Sequence, residues 1–399
     1  MFLIYNFIYP IRLAVIAGSE FYLYFILLAQ SLFYLKYINY TPRLRFFYPL
    51  MYSALLLMCM SIISIYINGS NDYLGVLVIV KYIFAIVMSY IVSIIVIDHY
   101  AEDSVLFLIK TMVLSALLIS ITCALEFFLP SFKAFFAMLI ETSGNIEYEE
   151  SFRVHGLATG GGASLSVGLA LSSVLGLFLF EKSNGLKSVF WGSVSLFIFV
   201  STLFVGRTGL FLLLFFYLMY FASTISFRGV LVVILVIVLM YTFVGSVQEE
   251  QLNIFYNYSL EPLMNYIENG VIESKTTTGL MSMYYMPDAF HVLFGAGYWR
   301  YPTHGYDLSD VGYMKIIMAY GFIGAMVFYS LQLYIYSHAY SFFVKRYKFK
   351  IGFLFIFYVL FIAELKEEFF VQNYAFKILI LLAVFSFSYK AFCNKMYLK

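Results

Sequence analysis

Eight arginines occur in the chain, and three of them, Arg153, Arg207 and Arg300, stand where chemistry is conceivable. Arg207 is the sharpest. It lies in Val205-Gly206-Arg207-Thr208-Gly209, a turn between two strongly apolar stretches. A charge there is costly unless it reaches lipid headgroups or a partner. The guanidinium is a planar fork that grips a phosphate at two points, which a lysine cannot do. Two or three such forks on one surface suit a lipid-linked diphosphate. Snorkelling to membrane phosphates is the competing reading for each. A second constellation follows Phe294-Gly295-Ala296-Gly297-Tyr298-Trp299-Arg300: His304, Asp307, Ser309 and Asp310. Asp310 opens an apolar stretch, where an aspartate serves as a helix cap or as a general base. Lys315, shortly after it, neutralises a carboxylate or faces a cavity. Glu364-Leu365-Lys366-Glu367-Glu368 reads as a solvated turn or as the rim of a site. Asp98, Glu102 and Asp103 read as a solvated turn.

Other features point to packing. Gly160, Ser164, Gly168, Ser172 and Gly176 draw a small-residue stripe that lets a neighbouring helix approach closely, or leaves a slot for a lipid tail. Gly160-Gly161-Gly162 offers backbone N–H groups to an anion, but no Walker pattern accompanies it. Cys59, Cys123 and Cys393 show neither metal-ligand spacing nor a disulfide framework, so no metal and no cofactor is expected.

The elements that position these residues are set by composition. The chain of 399 residues is 63% hydrophobic and 12% charged, about half the charged share of an ordinary soluble domain. The apolar residues are too many for a core, so most face lipid. The runs are continuous rather than alternating, which disfavours a β-barrel, and a net charge of +2 gives no reason to expect a nucleic-acid partner. The expected fold is all-α: a polytopic transmembrane helical bundle forming a single integral membrane domain over 1–399. Spans are expected over 21–38, 46–67, 73–97, 105–129, 160–180, 188–205, 209–225, 230–247, 310–338, 351–363 and 369–389. The segment 2–18 is a further span or an interfacial helix, giving about eleven or twelve spans of ~20 residues each.

Lysine and arginine near span ends set the sidedness. The dense cluster Lys345-Arg346-Tyr347-Lys348-Phe349-Lys350 is placed in the cytoplasm. Two long loops then lie outside, 130–159 and 248–309. The second is long enough to fold over the membrane surface with short helices of its own. One is expected around Glu249–Tyr256, with Gly270 as a stop. Arg153, Arg207, Arg300, His304 and Asp310 all fall on the outer face.

Arg153-Val154-His155-Gly156 before a span, Gly206-Arg207-Thr208-Gly209 between two spans, Phe294-Gly295-Ala296-Gly297, and Asp310-Val311-Gly312-Tyr313 leading to Tyr320-Gly321-Phe322-Ile323-Gly324 together form a pattern. It resembles O-antigen polymerases of the Wzy type, in span order and loop size over most of the chain. The O-antigen ligases share the layout, but there a His-Asn pair precedes the glycines corresponding to Gly321 and Gly324. Here that position is Asp310, and the nearby His304 comes earlier, which favours polymerase over ligase.

The resemblance implies a metal-independent glycosyl transfer outside a bacterial cytoplasmic membrane. A growing glycan on undecaprenyl diphosphate is passed to a repeat unit on the same lipid. Arg153 and Arg207, with Arg300, hold diphosphate and stabilise it as a leaving group. Asp310 or His304 takes the proton of the acceptor hydroxyl, and Tyr298, Trp299 and Tyr301 stack on sugars or pack at the interface. Membrane lipid and a chain-length-regulating co-polymerase are the implied partners. A flippase for lipid-linked oligosaccharide is the reading from another class. It calls for repeat symmetry and mid-membrane polar residues, whereas the charges here gather at the outer ends of spans.

Overall fold

Lipid offers no water to backbone N–H and C=O groups, so an apolar chain crosses it as helix. A computed structural model describes residues 2–11, 25–26, 28–29, 32–33, 47–140, 154–223, 265–266, 270, 275–285, 287–300, 309–371 and 373–396. It is all-α, with no strand among the described residues. In chain order the helices are α1 (Phe2–Ile8), α2 (Phe47–Asn68), α3 (Leu74–Tyr100), α4 (Ser104–Phe128), α5 (Pro130–Leu139), α6 (Gly162–Lys182), α7 (Leu186–Val205), α8 (Arg207–Ser223), α9 (Lys275–Ser282), α10 (Ala289–Phe294), α11 (Gly312–Tyr347), α12 (Lys350–Ala363) and α13 (Tyr374–Met396).

Among the described residues, six stretches are long and apolar enough to cross a membrane: Tyr48–Asn68, Leu74–Phe128, Gly162–Lys182, Leu186–Val205, Gly312–Tyr347 and Tyr374–Cys393. The chain is therefore a multi-pass membrane protein. The second stretch is α3 and α4 interrupted by a 3-10 turn, Ala101–Asp103, where Ala101 takes φ 43°. α8 and α12 are apolar but shorter.

The helices follow the expected spans closely, and the departures have local causes. The expected loop 130–159 opens with a helix, α5, because Pro130 sits at its first position, where a missing N–H costs nothing. α11 runs on to Tyr347 and includes Lys345 and Arg346, which complement the negative end of its dipole. The last span starts at Tyr374 rather than 369, because Asn373 caps it: its Oδ1 accepts the Phe376 N–H at 2.8 Å. Gly270 takes φ 72° and donates its N–H to the Tyr266 carbonyl at 2.9 Å, as expected of a stop. Of the expected span 21–38 only 25–26, 28–29 and 32–33 are described, and these are helical; the expected span 230–247 and the helix near 249–256 lie outside the described residues.

The chain divides into two compact units: Met1–Lys36, His99–Glu273 and Phe349–Ile356 form one, and Tyr37–Asp98, Ser274–Lys348 and Phe357–Lys399 the other. In the first, α6 packs against α4, α7 and α8. A Cβ added to Gly176 would stand 2.9 Å from the Ser195 Cβ, so the small residue lets α6 and α7 close up. Ser173 Oγ donates to the Ser195 carbonyl at 2.9 Å and Ser195 Oγ to the Ser173 carbonyl at 2.7 Å. Gly176 of the small-residue stripe therefore serves helix packing. In the second unit, α11 packs against α2, α10 and α13.

Candidate functional site

The second unit builds its site around a break in α11. Gly321 has φ 72° and ψ 173°, values no other residue adopts cheaply, and the helix bends there. The break releases the Met318 carbonyl, which accepts two N–H groups, from Ala296 at 2.7 Å and from Gly297 at 3.0 Å. The fit is close: a Cβ on Gly321 would lie 2.2 Å from the Leu293 carbonyl oxygen, and one on Gly297 2.8 Å from that of Ser64. Phe294-Gly295-Ala296-Gly297 and Tyr320-Gly321 are thus two halves of one joint.

Side chains near the α2–α3 connection clamp the segment that follows. Asn68 Nδ2 donates to the Gly295 carbonyl at 3.0 Å, and its Oδ1 pairs with His291 Nε2 at 3.0 Å. His291 Nδ1 pairs in turn with the carboxylate of Asp288, which also caps α10. Asp72 is buried; its Oδ1 caps α3 by accepting the Leu74 N–H, and its Oδ2 accepts the N–H groups of Trp299 at 2.9 Å and Arg300 at 2.7 Å. That pair of bonds fixes where Arg300 leaves the backbone. Neither Asp72 nor His291 attracts attention in the sequence, where Asp72 looks like turn chemistry and His291 has no motif around it.

Arg300 opens onto a cavity of about 400 Å³, within the range of small-ligand sites. Leu74, Leu77, Val78 and Trp299 supply apolar wall; Lys81, Arg300 and Lys315 bring positive charge; Asp310 and Glu368 bring negative charge. Lys315 Nζ lies 3.7 Å from Asp310 Oδ1 and 3.4 Å from Glu368 Oε2. Lys315 therefore does both things its position suggested: it pairs with carboxylates and it faces a cavity. Asp310 is not the helix cap. Val311 holds that position, and Ser309 Oγ accepts the Val311 N–H at 3.2 Å, leaving the exposed Asp310 carboxylate to Lys315.

The turn after α12 is solvated only in part, with Leu365 and Lys366 exposed. Glu364 is 0% exposed. Its Oε2 accepts the Phe369 N–H at 2.7 Å, its Oε1 the Tyr329 hydroxyl at 3.2 Å, and its carbonyl the Gly312 N–H at 3.1 Å. A Cβ on Gly312 would come within 2.4 Å of the Glu364 carboxyl, so the glycine is required by close approach. Burial, helped by the charge of Glu368, pushes the Glu364 carboxyl up to about 8. Burial also holds Glu368 above the ordinary carboxylate range, against the pull of Lys315. The sequence run with its three acids leaves a solvated turn and the rim of a site both open, and the structure shows some of each: Leu365 and Lys366 are exposed, and Glu368 lines the cavity. Glu364 binds the turn to the start of α11.

In the first unit, Arg207 begins α8 and is half-buried. The start of α8 is pressed onto α6: a Cβ on Gly209 would lie 2.2 Å from the Ser166 carbonyl oxygen, and Gly209 donates its N–H to Ser166 Oγ at 3.1 Å. The two glycines beside Arg207 thus serve close packing. A guanidinium at the positive end of a helix dipole makes a place that attracts anions. Near it, Val154 donates its N–H to the Phe204 carbonyl at 3.4 Å. The buried Glu126 of α4 accepts the N–H groups of His155 at 3.0 Å and Gly156 at 2.6 Å. Glu126 also went unremarked in the sequence; a lone carboxylate inside an apolar span is the signal that finds it.

Of the five residues singled out in the sequence, Arg300 and Asp310 line one cavity in the second unit and Arg207 lies in the first. Arg153 and His304 fall outside the described residues, as does Tyr301. Among the described residues no three His, Cys, Asp or Glu side chains are grouped to hold a metal ion. No family model, no curated protein and no solved structure matches the chain.

Proposed function

We propose that the chain is a membrane glycosyltransferase of the O-antigen polymerase kind, in a bacterial cytoplasmic membrane, acting on undecaprenyl-diphosphate-linked oligosaccharide at the outer face. The observation that carries this reading is the cavity of the second unit, where Arg300 and Lys315 stand with two carboxylates beside an apolar wall containing Trp299. Glycosyl transfer from a lipid diphosphate needs those parts: cations to stabilise the departing diphosphate, a carboxylate to accept the hydroxyl proton, and an aromatic face for sugar.

Both substrates carry a diphosphate. Arg300 and Lys315 bind one; Arg207, with Arg153, is the anion-binding candidate of the first unit. The proton acceptor is a cavity carboxylate or His304, with Asp310 the one the sequence points to. A co-polymerase that sets chain length is the protein partner this reading brings with it, and a ligase that passes the same donor to a different acceptor is its near neighbour.

The test uses the full chain in liposomes supplied with lipid-linked repeat units alone. A ladder of longer glycans is expected. Untouched repeat units sink the polymerase reading, and transfer only when a lipid A core is added turns it into the ligase. A flippase is kept as the second reading because Gln332, fully buried in the middle of α11, and the buried Tyr82 of α3 place polar groups at mid-span. It predicts repeat units moved across the liposome wall with no ladder.

A further inference from the structure

We propose that Glu368 is the catalytic base of this transfer, and that Asp310 instead helps hold Lys315 in place from the cavity's exposed rim. The inference rests on the glycosyl-transfer reading above and names the residue that reading leaves open.

The geometry starts from how firmly Glu368 is held. It sits on the turn between α12 and α13, and that turn is fixed at both ends. Glu364 takes the N–H of Phe369, the next residue along, and ties the turn to Gly312 and Tyr329 of α11. Asn373 Nδ2 donates to the Glu368 carbonyl at 3.3 Å while its Oδ1 caps α13. A base works only when its oxygen is held within hydrogen-bond reach of the proton it takes, and this backbone is held on a buried scaffold rather than on a free loop. The Glu368 side chain is half-buried, 19% exposed, and it lines the cavity. Asp310 is 57% exposed, and it lies on the irregular segment ahead of α11.

The surroundings also bear on the basicity of Glu368. Around Glu368 stand Lys315, Asp310, Arg300 and Lys81 across the cavity, Tyr320 of α11, and Glu364 and Glu367 on its own turn. Burial and the neighbouring acids raise its proton affinity, and Lys315 only partly reverses this. A base is most effective when its proton affinity approaches the working pH, and the upward direction at Glu368 suits that role. Lys315, 3.4 Å away, favours the ionised carboxylate against burial and offers charge to an incoming phosphate.

The step balances without a further reactant. The acceptor hydroxyl gives its proton to a Glu368 oxygen, and its oxygen forms the new bond to the anomeric carbon. The bond from that carbon to the diphosphate oxygen breaks, and its electron pair leaves on the diphosphate, facing Arg300. Water later takes the proton from Glu368.

The experiment measures elongation by the full chain in liposomes against pH. The substrate is lipid-linked repeat units extracted from the source bacterium after deletion of its gene. A base acts when deprotonated, so the wild-type rate should rise with pH along a limb above the range of an exposed carboxylate, ~4.3. Glu368→Gln should lower kcat by about 10²–10⁴-fold with little change in KM and lose that limb. Asp310→Asn should cost less and keep it. A Glu368→Gln protein that elongates within about threefold of wild type along the same limb overturns the proposal. No ladder from the wild type fells the transfer reading itself, and the proposal with it. If Glu368→Gln does not insert, Glu368→Asp decides: a slowed reaction with a displaced limb supports the base, and an unchanged rate and limb overturn it.

Discussion

A carboxylate with no cation beside it is expensive to bury as an ion, and the usual escape is to keep its proton. Glu364 takes that escape. It is fully buried, its hydrogen-bond partners are an amide and a phenol, and it is pushed up to about 8. The consequence for stability has a definite sign. The folded state holds the Glu364 proton until pH nears 8, while the unfolded chain releases it near its ordinary value of 4.5. Between those values the folded state binds more protons, so the contribution is present below pH 4.5 and is lost as pH rises towards 8. The melting temperature of the detergent-solubilised protein should fall with pH across that window. Glu364→Gln, which keeps a neutral side chain of the same shape, should flatten the fall. Equal slopes for the two proteins would remove Glu364 from the account. Little of this is legible in the sequence, because Glu364 and Glu368 belong to one charged run and only tertiary packing separates a proton-holding buried acid from a cavity-facing one.

The joint in α11 shows what an element can do that its hydrophobic pattern hides. By pattern, Gly312–Tyr347 is a plain apolar span, and its existence is easy to read. The bend is legible only as a suspicion raised by Gly321 and Gly324, since a glycine inside a span also serves packing. Its purpose depends on a distant partner: the freed Met318 carbonyl is satisfied by Ala296 and Gly297, which deliver Trp299 and Arg300 to the cavity. A Cβ at Gly321 faces both a positive φ and the Leu293 carbonyl at 2.2 Å. Gly321→Ala should therefore destabilise the protein by about 1–3 kcal/mol and lower activity through Arg300, read as a drop in melting temperature together with a raised KM. Gly312→Ala should act through the Glu364 turn, with a cost of about 1–3 kcal/mol and a displaced pH–rate limb. If Gly321→Ala melts and turns over like wild type, α11 does not need its bend. Arg207 belongs to this scale too. If it grips a diphosphate, Arg207→Ala should cut elongation by roughly 10²–10³-fold at unchanged melting temperature, whereas a snorkelling arginine would leave the rate alone.

For the whole molecule, the question is which side of the membrane the cavity faces. Composition gives the class of protein, and charge placement bears on sidedness through α11, which runs from the cavity to a basic cluster. α11 begins at Gly312 beside the cavity, through Lys315, and ends at Tyr347 beside Lys345, Arg346 and Lys348. Beyond its bend at Gly321 it runs unbroken to Tyr347, about 39 Å at 1.5 Å per residue, more than the hydrocarbon layer of ~30 Å. The basic end and the cavity end must therefore lie on opposite sides of the membrane. With the basic end in the cytoplasm, as the charge rule expects, the cavity would open outward, the side that the proposed polymerisation requires. Cysteine labelling tests this in a background with Cys59, Cys123 and Cys393 replaced. Arg300→Cys should react with an impermeant thiol reagent in intact cells, and Lys348→Cys only after the membrane is opened. Both positions are exposed in the structure, so a silent site reports sidedness rather than burial. The reverse pattern would put the cavity in the cytoplasm, and an enzyme that meets its glycan there could not be the outer-face polymerase proposed for this chain.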